Sequence, residues 1–164
     1  MSGGCAPVAT MAADAMDLMF YHLERQPLES VLPLLLEKTR ERGWRAVVEV
    51  SGEARKAALD DALWTYSERS FLPHGPDGEP GCEAQPILIT TGAGNGNAAE
   101  VRFVVDGARL PADLAGYERI AVLFDGEDPV ALDAARADWK RAKAAGLTAS
   151  YWQQNAEGRW EKKA

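Results

Sequence analysis

The residues most able to do chemistry are Gly92-Ala93-Gly94-Asn95-Gly96-Asn97, which follow an apolar run and nearly spell the dinucleotide fingerprint. In that motif, glycines bring backbone amides against a pyrophosphate. Asn97 stands where the last glycine belongs, and only Ala98, Ala99 and Glu100 precede the next β-branched run. That leaves no helix whose N-terminus could hold a phosphate. The interval therefore reads as the turn of a hairpin, with a nucleotide-binding enzyme using Gly92–Gly96 as the alternative function. No Gly-Lys-Ser/Thr and no Gly-x-Ser-x-Gly occurs, so a P-loop and a nucleophile elbow are both missing. His22 and His74 have no Cys or His partner at ligand spacing, which disfavours zinc. His22 reads as a strand-end residue and His74 as a loop residue held by hydrogen bonds. Asp60 with Asp61, or Glu127 with Asp128, could pair as acid and base, but adjacent carboxylates at helix edges are usually solvated. Glu127 and Asp128 also suit a helix N-terminus. No catalytic residue, metal or cofactor is expected.

Two further clusters fit binding rather than catalysis. Arg136 and Lys140 lie four residues apart on a helical segment, with Trp139 three from Arg136 and Lys143 three from Lys140. Three cations thus gather beside one large aromatic. Basic residues also favour helix C-termini and can simply point at water; equally, they suit an acidic peptide whose carboxylates meet Arg136 and Lys140 while a terminal apolar ring packs beside Trp139. The second cluster is Leu63-Trp64-Thr65-Tyr66 followed by Phe71-Leu72-Pro73-His74, where a helix ends and large apolar residues continue into a loop. Trp64 is either core or part of an interface anchor with Phe71 and Pro73.

These residues need elements to position them. The 164 residues, 46% hydrophobic, suffice for one core, and a net charge of -7 repels phosphate. Direct binding of single-stranded DNA through Trp139 would have one stacking aromatic only. Residues 1–15 lack the basic start and apolar core of a secretory signal and read as a disordered tail, with Met1 or Met16 as the start. A single domain is expected over 16–164. No run reaches the roughly 18 apolar residues of a membrane span. Cys5 and Cys82 form no disulfide or metal pattern, which fits reduced thiols in the cytoplasm.

Strands are expected at Asp17–Leu23, Trp44–Val50, Pro86–Thr91, Val101–Asp106, Arg119–Phe124 and Thr148–Gln154. Helices are expected from a Ser30 cap to Gly43, from Ser51 through Leu63, and over Asp128–Ala145. Residues 66–85 read as a long irregular connection and the end of the chain as a charged tail. The succession predicts an α/β fold: a mostly parallel sheet, helices on both faces, and one antiparallel hairpin between Pro86–Thr91 and Val101–Asp106.

Phe20-Tyr21-His22-Leu23, Leu59-Asp60-Asp61-Ala62-Leu63-Trp64-Thr65 and Glu68-Arg69-Ser70-Phe71-Leu72-Pro73-His74 resemble the chi subunit of bacterial DNA polymerase III, a clamp-loader accessory protein. Gln85-Pro86-Ile87-Leu88-Ile89 and the helix Arg136–Lys140 add to the resemblance, which runs through most of the chain from about Asp17. It implies a Rossmann-like fold without a nucleotide site, and a non-catalytic role in DNA replication that supports primer handoff. It implies that Arg136, Trp139, Lys140 and Lys143 bind the acidic C-terminal tail of single-stranded DNA-binding protein. It places Trp64, Phe71 and Pro73 at an interface with a psi-like subunit that links to the clamp loader. Family members often carry tyrosine where this chain has Trp139, a change that keeps the ring and loses a hydroxyl donor. Contact with nucleic acid would be indirect.

Overall fold

The computed structural model describes residues 16–24, 26–65, 73–77, 80–92, 94–111, 114 and 116–164. In chain order the elements are β1 (Asp17–Leu23), α1 (Leu28–Glu41), β2 (Ala46–Glu49), α2 (Glu53–Thr65), β3 (His74–Pro76), a 3-10 turn at Cys82–Ala84, β4 (Ile87–Thr90), β5 (Val101–Val104), β6 (Arg119–Asp125), α3 (Pro129–Ala144), β7 (Ala149–Gln154) and β8 (Trp160–Lys162). The eight strands form one sheet in the order β3-β4-β2-β5-β6-β1-β7-β8, parallel throughout except for the antiparallel pair β7 and β8.

Side-chain alternation along the strands divides the core into two layers. Tyr21, Leu23, Val48, Ile87, Ile89 and Leu123 face Val31, Leu32 and Leu36 of α1 and Leu59 and Leu63 of α2. Leu18, Phe20, Val47, Leu88, Val122 and Phe124 face Ala135 and Ala142 of α3, with Leu110 and Tyr117 from the β5–β6 connection beside them. Central strands buried on both faces read as continuous apolar runs, the signature of a parallel sheet. The expected α/β class, with helices on both faces and one antiparallel pair, is what the structure has.

The antiparallel pair is elsewhere than expected. β4 and β5 do not form a hairpin: both run parallel to β2, on opposite sides of it, so that Val47 pairs with Leu88 on one side and Arg102 on the other. The connection from β4 to β5 must then cross β2 rather than reverse in a tight turn. Buried groups hold that path. The Arg102 guanidinium, with no exposure to solvent, donates to the Gly92 carbonyl (2.5 Å), the Gly94 carbonyl (2.9 Å), the Tyr117 hydroxyl (3.0 Å) and Glu49 (2.6 Å). The Asn97 amide donates to the carbonyls of Ala46 (3.0 Å) and Gln85 (2.8 Å). At Gly96 the backbone passes so close over Leu88 that a Cβ would lie 3.1 Å from its Cδ2, which is why a side chain is unwelcome there.

The antiparallel strands come instead from the end of the chain. Gln154 pairs with Trp160 and Trp152 with Lys162, and the Trp160 ring packs edge-on against Tyr21, centroids 5.0 Å apart. What reads as a charged tail is an edge strand anchored by one tryptophan. Similarly, part of the 66–85 connection forms β3 at the opposite edge. α1 begins at Leu28, earlier than Ser30, because the Pro27 carbonyl already accepts from Ser30 N (3.0 Å) and Val31 N (3.2 Å). Pro33 therefore falls in the second turn, where it costs a helical hydrogen bond and is buried.

Candidate functional site

α3 starts cleanly. The Asp128 carboxylate accepts from Val130 N (3.0 Å) and Pro129 supplies the pre-set φ of a first helical residue. Its inner face is Ala135, Asp138 and Ala142. Asp138 is buried and fully engaged, accepting from Arg109 (2.8 and 3.1 Å) and Leu110 N (3.2 Å), and so ties the β5–β6 connection to the helix.

With that face fixed, Arg136, Lys140 and Lys143 are exposed on the outer flank and Trp139 is half-buried at its border. The structure thus brings the four expected binding residues onto one surface. Trp139 meets Phe20 edge-on (5.5 Å) and Tyr151 edge-on (5.9 Å), and the Lys143 ammonium lies 5.2 Å from its ring centroid, a cation–π distance. One side of the indole is core and the other is open beside cations.

Two residues of this surface were not anticipated in this role. Tyr151 of β7 lies beside Trp139, and its hydroxyl is 2.6 Å from His22 Nδ1, whose Nε2 is 3.0 Å from Glu24. Burial pushes the Tyr151 phenol pKa up, while the positive charge of Arg136 pulls it partly back, so the guanidinium field reaches this hydroxyl. His22 is buried at the end of β1, one ring nitrogen bonded to Tyr151 and the other facing Glu24. Gly126 makes room for it: a Cβ there would fall 1.8 Å from His22 Nε2. Only the pairing of β1 with β7, which sets Tyr21 opposite Trp152 and Phe20 opposite Tyr151, brings these distant residues together.

The second cluster lies on the other side of the sheet, at the β3 edge. Trp64, near the end of α2, is 50% exposed, so the core alternative for it is overturned. Its ring rests on His74, centroids 4.3 Å apart. His74 is buried, with Nε2 3.2 Å from the Asp60 carbonyl and 3.1 Å from its carboxylate; it opens β3 rather than lying in a loop. Pro73 is half-buried beside it, and Phe71 lies outside the described residues.

The described residues of the Gly92–Gly96 segment do not form the start of a helix. Its carbonyls, not its amides, converge on Arg102, and no helix follows it. Among the described residues no group of three or more His, Cys, Asp or Glu could hold a metal ion, and Cys82 carries a free thiol. No described helix is long and apolar enough to cross a membrane.

Residues 16–150 match the family model described as DNA polymerase III chi subunit, HolC. The probable DNA polymerase III subunit chi of Rickettsia prowazekii is 30% identical over 95 residues, covering 58% of this chain and 55% of the relative. The DNA polymerase III subunit chi of Pseudomonas aeruginosa is 28% identical over 102 residues, covering 62% of this chain and 69% of the relative. The match therefore spans about half the length of the first of these relatives. With the family model matching residues 16–150 of an α/β chain, the protein belongs to the DNA polymerase III chi subunit family.

Proposed function

We propose that this chain is a non-catalytic accessory subunit of the replicative polymerase. It binds the acidic C-terminal tail of single-stranded DNA-binding protein through Arg136, Trp139, Lys140 and Lys143, and a psi-like subunit of the clamp loader through Trp64, Phe71 and Pro73. The observation that carries the reading is the outer face of α3: three exposed cations around one half-buried indole, on a molecule whose net charge is -7. Peptide carboxylates would pair with Arg136 and Lys140, and a terminal apolar ring would cover the open side of Trp139. The Trp64 surface lies across the sheet and near its opposite edge, so both partners can be held at once. Nucleic acid is then met through the proteins that coat it or copy it, in keeping with a role in primer handoff during replication. The nucleotide-binding alternative loses its support with the carbonyls of Gly92 and Gly94 turned onto Arg102.

Titration of a fluorescent peptide copying the acidic C-terminus of the cognate single-stranded DNA-binding protein tests the reading. Binding near micromolar, about 8 kcal/mol, is expected for the wild type, weakening as salt rises and lost in Arg136→Ala/Lys140→Ala. A well-folded wild type that does not bind the peptide refutes it.

A further inference from the structure

Strand order reverses between β1 and β6. From β1 the chain leaves through α1 on one face to reach β2, and from β6 it leaves through α3 on the other face to reach β7. Such a switch point opens a crevice beyond the carboxyl ends of the strands, the usual ligand position of open α/β sheets. Here it measures about 830 Å³, floored by Leu23, Leu123, Phe124 and Ala135. At its mouth Val130 is 77% exposed.

The charge around this crevice is the reverse of a nucleotide site. At the start of α3 Pro129 has no amide to offer, Val130 N donates to Asp128 (3.0 Å), and Glu127 N to Asp125 (2.9 Å). Among the described residues, seven carboxylates line it against two guanidiniums, Arg55 and Arg109. Arg55 is engaged by Asp106 and Arg109 by Asp138. The surplus sits on Glu24, Glu29, Asp125, Glu127 and Asp128. The cations Arg136 and Lys140 of α3 are exposed on a different face of the helix from Ala131, Ala135 and Asp138, which line the crevice, with Trp139 at the border between the two.

We infer that this crevice docks a basic segment of a protein partner, in which lysines or arginines flank an aliphatic side chain. The aliphatic group fills the floor between α1 and α3 and the flanking cations meet Glu29 and Glu127 at the rim. Complementary charge at a rim governs which partner is accepted and how fast it arrives, and an apolar floor supplies the burial that charge alone does not.

The probe is a fluorescein-labelled synthetic peptide Lys-Leu-Lys-Lys-Leu-Lys, followed by anisotropy against the full chain. Glu29→Lys/Glu127→Lys reverses the rim, Ala131→Phe fills the floor without changing charge, and Glu118→Lys/Glu157→Lys makes the same change of net charge on exposed sites away from the crevice. Thermal melts check that each variant folds. Both crevice variants are expected to weaken binding at least about tenfold while the remote pair changes it less than about twofold. Equal weakening by the rim and remote reversals would reduce the effect to general attraction and overturn the proposal, as would hexalysine binding as tightly as the leucine-containing peptide.

Discussion

Replacing Arg102 with methionine should be among the most damaging single changes available in this protein. The substitution keeps a long apolar stem in β5 but removes a guanidinium that meets Glu49, two carbonyls and the Tyr117 hydroxyl with no access to water. Glu49 is left with a side chain only 13% exposed and no cation; breaking a buried pair from one side costs about 3–5 kcal/mol. Gly92 and Gly94 are exposed, so water can satisfy their carbonyls and adds little to the loss. A total near 4 kcal/mol corresponds to a fall in Tm of about 10 °C for a domain of this size. Urea unfolding followed by circular dichroism measures it as a change in midpoint at constant slope. Adding Glu49→Leu should return about half of the lost stability, because removing both charges spares the orphaned carboxylate. A loss under about 1 kcal/mol in Arg102→Met, or simple additivity of the two changes, would refute the view that this pair holds the crossover to the sheet.

Gly126→Ala should destabilise by about 1–3 kcal/mol, since the new methyl group overlaps the His22 imidazole; chemical denaturation would show it, and His22→Ala in the same background should return part of the loss. The Tyr151 phenol, already raised by burial and lowered by Arg136, should titrate at still higher pH in Arg136→Ala. NMR of the labelled tyrosine ring Cζ across alkaline pH reads this directly, and an unchanged or lower titration point would separate Arg136 from Tyr151. The sign follows from removing a cation that favours the phenolate.

Local signals carried much of the architecture. Apolar runs at Asp17–Leu23 and Arg119–Phe124, helical spacing at Leu28–Leu36, and the Asp128-Pro129 start of the last helix all place elements within a few residues of where they stand. These features depend on neighbours in the chain, through periodicity and capping. The family resemblance rests on the same kind of evidence, contiguous blocks such as Leu59–Thr65. Arg136, Trp139, Lys140 and Lys143 were likewise readable as one face, because helical spacing alone brings them together.

Properties that depend on distant partners were settled only in three dimensions. A glycine-rich interval between two strands has the same local appearance whether it turns a hairpin or crosses a sheet face; β2, inserted between β4 and β5, decides for the crossover. Arg102 looks like one polar residue in an apolar strand until Glu49, Gly92, Gly94 and Tyr117 are assembled around it. Trp64 has the same helical setting whether buried or exposed, and it is the packing of α2 on β3 and β4 that leaves half of it in solvent. His22 and Tyr151 share a hydrogen bond 129 positions apart in the chain because β7 pairs beside β1. Short-range rules determine which elements form; which side chains become a site is decided by the order in which the sheet collects its strands.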